Sequence, residues 1–425
     1  MREKLLRLTL LGAATGVVSA GAVLAFRWLI EHSQVLFLPG GIVGNYEALA
    51  PWAVVALPVG GGLVLGLVFE RLRPDLRDVG IVHVLVQLRL GARPVLPPGN
   101  GIVQFFAGTF AIACGHSVDR EGPGVHLGAV AGNLVGSRAD DLDRVTLTAC
   151  GAAAAIAAAF NTPLAGVVFV IEVLRLRYQI ERFIAVITAS VVGAVISRLY
   201  YGEAPAFAVH RLAQGALPEL FLLGLLGLFT GLLAVGFVVL TEGTARFTRA
   251  WRPTLAFTLA GALTGLIGLA YPQILGVGYD TLDRILDNSL GGAVLIGLML
   301  GKLVATAVSV GLRVPGGLIG PSLVIGGAAG GLMGVLVPRW ADFATGSESF
   351  YAVIGMVSMM GAVLQAPLAA LFALLELTAD PDIILPGMTA VVCANVIARQ
   401  VLRKESVFEH LLQLRDRPEG VADAR

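Results

Sequence analysis

Apolar residues in this chain run in long continuous stretches, without the strict alternation of a half-buried strand. After a charged start at Arg2, Lys4 and Arg7 the chain is apolar to about Ile30. Further apolar stretches follow at about 52–70, 101–113, 145–173, 183–200, 216–241, 254–275, 291–311, 317–338, 351–377 and 383–402. Several reach the ~20 residues that a helix needs to cross a bilayer, and others are shorter or broken. A β-barrel strand would instead read as about ten residues of alternating text. The pattern predicts an all-α polytopic membrane protein, with one transmembrane domain over 1–425 and the lipid bilayer as its solvent. The first stretch outruns the ~7–15 apolar residues of a secretory signal, and Arg27-Trp28 follows without a processing site, so it reads as a membrane helix. Positive residues flank both ends: Arg399, Arg403 and Lys404 follow the last stretch, and Arg415 and Arg417 sit in a short polar tail, 406–425. Positive residues stay on the cytoplasmic side, so the expected location is the inner (cell) membrane, multi-pass, with both termini cytoplasmic.

Two stretches carry polar, Gly/Pro-broken text where an uninterrupted span would be apolar. One is 108–137, with His116, Asp119, Arg120, Glu121 and Pro123; the other is 311–334, with Arg313, Pro315, Gly316, Gly317 and Pro321. Such backbone is tolerated at membrane depth only when buried in protein or lining a wet cavity. The two breaks also answer each other. Glu121-Gly122-Pro123 with Gly128, Ala131 and Gly132 aligns with Ile319-Gly320-Pro321 with Gly326, Ala329 and Gly330, at an offset of 198 (321 − 123). Phe160-Asn161-Thr162-Pro163-Leu164-Ala165-Gly166 aligns with Leu364-Gln365-Ala366-Pro367-Leu368-Ala369-Ala370, and Glu172 with Glu376, at an offset of 204 (376 − 172). The chain therefore reads as two homologous halves, about 1–200 and 215–405, and matching broken segments in two halves point to a site near the bilayer midplane. The matches do not say whether the halves are inverted.

Composition sharpens this. Charged residues are 14% of the chain and hydrophobic residues 56%, against about 25% charged in a soluble domain. The 54 glycines suit membrane helices, where small residues let backbones approach. A net charge of +1 gives no electrostatic case for nucleic acid. Cys114, Cys150 and Cys393 lie in apolar surroundings without CxxC spacing and read as packing residues; no metal and no cofactor is expected.

An anion in a low-dielectric core needs positive potential that does not trap it. The partial charges of helix N-termini and free backbone N–H groups meet that need better than a full Lys or Arg charge. Gly122-Pro123 and Gly320-Pro321 fit, because proline is tolerated in a helix's first turn. Glu121 stands out, since a carboxylate inside a span is costly and is a functional hypothesis by default. The competing reading is a structural glutamate paired with Arg120 or Arg138.

Asp119-Arg120-Glu121-Gly122-Pro123 resembles the GREGP motif of the CLC family of chloride channels and chloride/proton exchangers, with Asp119 in place of its first glycine. Pro315 through Pro321 resembles that family's GGxFxP segment, Phe160 through Glu172 its AAFNAPLAG…IE segment, and Asp78-Val79-Gly80-Ile81-Val82 is a divergent copy of GSGIP. The resemblance covers about residues 1–412. It implies antiparallel halves in each subunit and a homodimer with one pore per subunit. It also implies no CBS domain, since only about twenty residues follow Lys404. It assigns Glu121 as the gate, able to occupy the pore as a carboxylate and to leave it when protonated. It places the anion-binding positions at Val79, Gly80, Arg120, Glu121, Gly122, Leu318, Ile319, Gly320 and Phe408.

The departures bear on mechanism. Val79 stands at the family's coordinating serine and Phe408 at its inner-gate tyrosine, so both hydroxyl donors are missing, at about 1–3 kcal/mol each. Ile319 stands at the GGxFxP phenylalanine. Val173 occupies the exchangers' internal proton-transfer glutamate position, where the family's channels also carry an apolar residue. The implied function is transport of chloride or a similar small anion, as a channel or weakly coupled anion/proton exchanger with protons as the second ion. The alternative within the family is a fluoride exporter, whose branch also departs at the serine.

Other features read more plainly. His83, His116 and His126 lie near the motifs and read first as satisfied structural histidines, although each could titrate in the physiological range. Lys302 lacks the glycine that a P-loop would need at Ile296. Glu172 and Glu376 read as helix-end caps near the cytoplasm, and the small-residue row Gly326–Gly334 as a packing seam. From another class, a membrane-embedded hydrolase would use Gly115-His116-Ser117-Val118-Asp119 as a nucleophile elbow, but that motif ends in Asp rather than Gly. A transport-silent scaffold would have no need of broken helices.

Overall fold

The computed structural model describes residues 2–89, 96–177, 179–203, 207, 215, 217–339, 341, 343 and 345–416; Arg417 and the rest of the tail lie outside them. The first half runs α1 (Arg2–Phe37), α2 (Pro51–Arg71), α3 (Gly80–Arg89), α4 (Pro98–Ala113), α5 (Glu121–Val135), α6 (Asp141–Phe160), α7 (Pro163–Glu172) and α8 (Ile180–Tyr201). The second runs α9 (Glu219–Phe247), α10 (Pro253–Gly268), α11 (Tyr279–Leu286), α12 (Gly292–Gly311), α13 (Ile319–Leu336), α14 (Glu348–Leu364), α15 (Pro367–Thr378) and α16 (Ile384–Asn395), with α17 (Val407–Asp416) at the end. Among the described residues, 8 helices are long and apolar enough to cross a membrane. The protein is a polytopic all-α membrane protein.

Several boundaries differ from the hydropathy pattern. The first helix continues past Ile30 to Phe37. The stretches 145–173 and 351–377 each split in two, because Asn161 (φ 59°) and Gln365 (φ 51°) leave the helix in left-handed geometry and Pro163 and Pro367 open a new one. A left-handed residue after the last turn is a common helix stop, and proline at a first position a common start. Within the polar tail, residues 407–416 form α17, with Val407, Phe408 and Leu412 buried.

The centre is built by two closely packed pairs, α5 on α6 and α13 on α14. A Cβ on Gly128 would lie 2.2 Å from Gly151 O, and one on Gly326 would lie 2.2 Å from Gly355 O. Only glycine permits those approaches, and the two contacts occupy corresponding positions of the halves. The row Gly326–Gly334 is thus a packing seam, as its composition suggested. Around this centre the outer helices expose large apolar residues, among them Leu164, Val191, Leu368 and Val392.

α7 and α15 lie side by side and exchange caps. Glu172, the last residue of α7, accepts from Leu368 N (3.1 Å) and Ala369 N (2.8 Å) at the start of α15. Glu376, near the end of α15, accepts from Leu164 N and Ala165 N at the start of α7, both at 2.9 Å. Each carboxylate sits at a helix N-terminus, where negative charge is favoured. This exchange requires the two helices to run antiparallel.

Candidate functional site

α5 and α13 begin at the two sequence breaks and begin alike. In α5 the fourth N–H of the opening turn, Gly124 N, already bonds Arg120 O (2.9 Å); in α13 Ser322 N bonds Leu318 O (3.0 Å). The third positions are Pro123 and Pro321, which have no N–H. Each helix therefore opens with two N–H groups that its own turns do not use: Glu121 and Gly122 in α5, Ile319 and Gly320 in α13.

The two starts meet. Asp119 and Gly317 form an antiparallel bridge, with Asp119 N donating to Gly317 O (3.1 Å) and Gly317 N to Asp119 O (3.3 Å). From this bridge the Asp119 carboxylate accepts from Gly122 N through Oδ1 (3.0 Å) and from Gly320 N through Oδ2 (2.8 Å). Asp119 and Glu121 are almost fully buried. Glu121 Oε1 accepts from Arg120 Nε at 3.4 Å, and Arg120 also lies 3.5 Å from Glu31 and over the Tyr279 ring. Glu121 thus has its Arg120 partner on one oxygen, while Oε2 has none among the described residues. An oxygen left without a hydrogen bond in a buried carboxylate is an unusual cost, and the Tyr279 hydroxyl is the polar group near it.

On one side of this junction is a cavity of about 340 Å³. It brings together Val79, Gly80, Gly122, Leu318 and Phe408, five of the expected anion-binding positions. Gly80 opens α3 with φ +81°, a left-handed geometry that glycine adopts at no steric cost. Arg120, Glu121, Ile319 and Gly320 do not line the cavity; they sit at the two helix starts. The mouth carries Arg77, Arg249, Arg313 and Arg415 against one acid, Asp78. Arg77 spends its guanidinium on Glu70 O and Leu72 O at the end of α2, and Arg313 on Thr248 O and Trp251 O at the end of α9; Arg415 pairs with Asp78. Their charge remains, and it makes the mouth attractive to anions. Sequence reasoning named Arg313 only within a broken segment and Arg415 only as a tail charge, passed over Arg77 and Arg249, and did not bring the four together. It noticed Asp119 only as a departure.

Phe408 is held at the cavity by α17. Glu409 accepts from Arg89 through both oxygens (2.9 and 2.6 Å) and lies 3.2 Å from Arg175. The Arg89 hydrogen bond is the largest influence holding the Glu409 carboxyl below its usual range. On the other face His410 and Lys404 reach Glu242, at 3.2 and 3.7 Å.

Other candidates fall elsewhere. Val173 follows the end of α7, buried and outside the cavity. His83 and His126 pair with each other at 3.1 Å, leaving His126 Nδ1 without a partner. His116 is buried with neither ring nitrogen bonded among the described residues, so the reading as a satisfied histidine fails there. Lys302 is fully buried and donates to Ile274 O and Gly276 O. Ser117 is fully buried, its hydroxyl 2.8 Å from that of Thr306. An elbow serine is exposed beside a base, so this geometry does not serve hydrolysis. Cys114 and Cys150 are buried packing residues.

The sequence matches the family described as "Voltage gated chloride channel" over residues 61–399. It is 32% identical over 362 residues to the H(+)/Cl(-) exchange transporter ClcA of Vibrio cholerae, covering 81% of this chain and 75% of that one. It is 28% identical over 413 residues to the voltage-gated ClC-type chloride channel ClcB of Citrobacter koseri, covering 95% and 98%. Among solved structures, a CLC-type fluoride/proton antiporter superposes with a TM-score of 0.81 at 20% identity, covering 96% of this chain and 98% of that one. These relatives are named as transporters and channels, and the family match spans most of the chain: this protein belongs to the voltage-gated chloride channel (CLC) family.

Proposed function

We propose that this chain moves chloride or a similar small anion across a membrane, by way of the arginine-rimmed cavity and the junction of α5 and α13, with Glu121 as the gate. The observation that carries the reading is the cavity itself. It gathers Val79, Gly80, Gly122, Leu318 and Phe408 and ends where two helix N-termini meet beside a buried carboxylate with one oxygen unbonded among the described residues. Backbone partial charge there attracts an anion without a salt bridge to hold it. The anion-binding positions on the helix starts are read as Arg120, Glu121 and Ile319, because Gly122 N and Gly320 N already donate to the Asp119 carboxylate. Ionised, Glu121 competes with the anion for this positive potential; protonated, it stops competing.

Val173 removes the internal carboxylate that the exchangers of the family use, so the transport is that of a channel or a weakly coupled anion/proton exchanger. The test is flux from vesicles holding purified protein, with anion and proton electrodes read together. Proton uptake driven by an anion gradient establishes exchange, anion loss alone establishes a channel, and a fluoride arm separates the fluoride reading. No anion loss from vesicles of either kind overturns the proposal.

The arginine-rich mouth and the positive residues after α16 support a cytoplasmic inner end, with both chain termini on that side of the inner membrane. The halves 1–200 and 215–405 are read as inverted repeats, supported by the antiparallel exchange between α7 and α15. Exposed Leu164, Val191, Leu368 and Val392 on α7, α8, α15 and α16 support a homodimer through that face. Cross-linking in membranes that yields monomer only would overturn the dimer.

A further inference from the structure

Four N–H groups open the two central helices, and Asp119 accepts well-formed hydrogen bonds from Gly122 of α5 and Gly320 of α13, with Ile319 N of α13 also turned toward it. Its two oxygens are divided between the halves: Oδ1 faces Gly122 of α5 and Oδ2 faces Gly320 of α13, residues 198 apart (320 − 122). Capping α5 needs only the first bond. The second reaches across the junction to a helix that begins 200 residues later (319 − 119). The side chain has no freedom to be elsewhere: its own backbone is pinned to Gly317, and it is fully buried. The glycines around it are shaped to it. A Cβ on Gly317 would lie 2.0 Å from Asp119 Oδ1, and one on Gly320 would lie 3.1 Å from Asp119 Cβ.

A carboxylate that accepts through both oxygens from two converging helix N-termini is held as a free anion would be held there. We propose that Asp119 is a built-in anion: it fills the anion site formed by Gly122 N and Gly320 N, and so sets whether a halide can occupy the junction of the two halves. With Asp119 in place, permeant halides are confined to the cavity side at Val79, Leu318 and Phe408 and to the Glu121 side. Removing the carboxylate leaves two converging N–H groups in a buried setting with no acceptor, which is costly, and a small halide is the acceptor that fits. The proposal deepens the transport reading, but its binding arm does not depend on transport.

The experiment is crystallography in bromide, located by anomalous scattering, on the full-length wild type and on Asp119→Gly and Asp119→Ser. Calorimetric bromide titration of the same detergent-purified proteins accompanies it. The expected result is no bromide touching Gly122 N and Gly320 N in the wild type and one bromide bridging them in Asp119→Gly. Affinity should rise about tenfold or more, the effect of one recovered charge-assisted hydrogen bond. Asp119→Ser keeps a small neutral acceptor for Gly122 and covers the case in which the glycine variant does not fold; it should show bromide at Gly320 N. A purely structural staple would lose stability in these variants without gaining bromide. Bromide at the two amides in the wild type, or a folded variant without bromide there, overturns the proposal. A wild type that passes no anion in vesicles would count against the transport reading and leave the bromide positions to decide this one.

Discussion

Glu121 was legible in the sequence because a lone acid in a Gly-Pro frame at membrane depth has few inexpensive explanations. What could not be read was its neighbour. Asp119 looked like a substitution in a motif, and only the bridge to Gly317 shows its carboxylate turned onto both helices. Glu121 is paired with Arg120, with the Tyr279 hydroxyl also near it, and its Oε2 has no hydrogen bond of good geometry among the described residues, so its negative charge stands at the junction of the two helix starts. Acidification should therefore raise anion flux by removing its charge from the path. Glu121→Gln, which carries the neutral shape, should leave flux intact or faster, lose much of its pH dependence and abolish proton coupling in the vesicle assay. A folded Glu121→Gln protein with the wild-type pH profile would move the gate elsewhere, and the buried His83–His126 pair is the next place to look. Inside the cavity, Val79 and Phe408 present no hydroxyl. Val79→Ser with Phe408→Tyr should tighten chloride by about 1–3 kcal/mol for each donor that reaches the ion. Tight chloride binding by the wild type in calorimetry, with no gain in the double variant, would contradict that placement.

At the scale of elements, the long apolar stretches and the two Gly/Pro-rich breaks were visible, and the stops inside 145–173 and 351–377 were not. Residues stay apolar on both sides of Asn161 and Gln365, so hydropathy continues while the helix stops; the left-handed φ at those two residues is a backbone choice that hydropathy does not record. The helix within the tail was also not read. Its polar residues are the anchors of α17: Glu409 to Arg89 and Arg175 on one side, His410 to Glu242 on the other. Because Arg89 holds Glu409 below the ordinary carboxylate range, this anchor contributes stability above that ordinary value. The contribution is lost as pH falls through the lowered one. A spin label at exposed Gln413 should therefore report an immobile α17 at neutral pH and a mobile one in strong acid. Arg89→Ala should give the mobile spectrum already at neutral pH, with Phe408 released from the cavity. An unchanged spectrum in Arg89→Ala would assign α17 to its contacts with α9 instead.

At the scale of the molecule, the duplication was read from two offsets, 198 and 204, and the six-residue difference is explained by where it arises. Gly136 to Leu147 spans 11 residues and Gly334 to Tyr351 spans 17 (147 − 136 and 351 − 334), so the connection between α13 and α14 is the longer one. The inversion proposed for the halves could not be read, because text matches carry no direction in space; the caps exchanged by Glu172 and Glu376 support it. If a two-fold relates α7 to α15, the two carboxylates are one interaction seen twice, each giving both oxygens to the first N–H groups of the other helix. Loss of a helix cap costs about 0.5–2 kcal/mol. Glu172→Ala and Glu376→Ala should therefore lower the apparent melting temperature in detergent by similar amounts. The two caps lie at opposite ends of a helix pair, about 15 Å apart for ten residues at 1.5 Å each, and share no partner, so the double variant should show the sum. Glutamine at either position keeps one acceptor and should recover part of the loss. A large effect from one glutamate and none from the other would mean that the two ends are not equivalent, and the reading of the halves as inverted copies would fail with it.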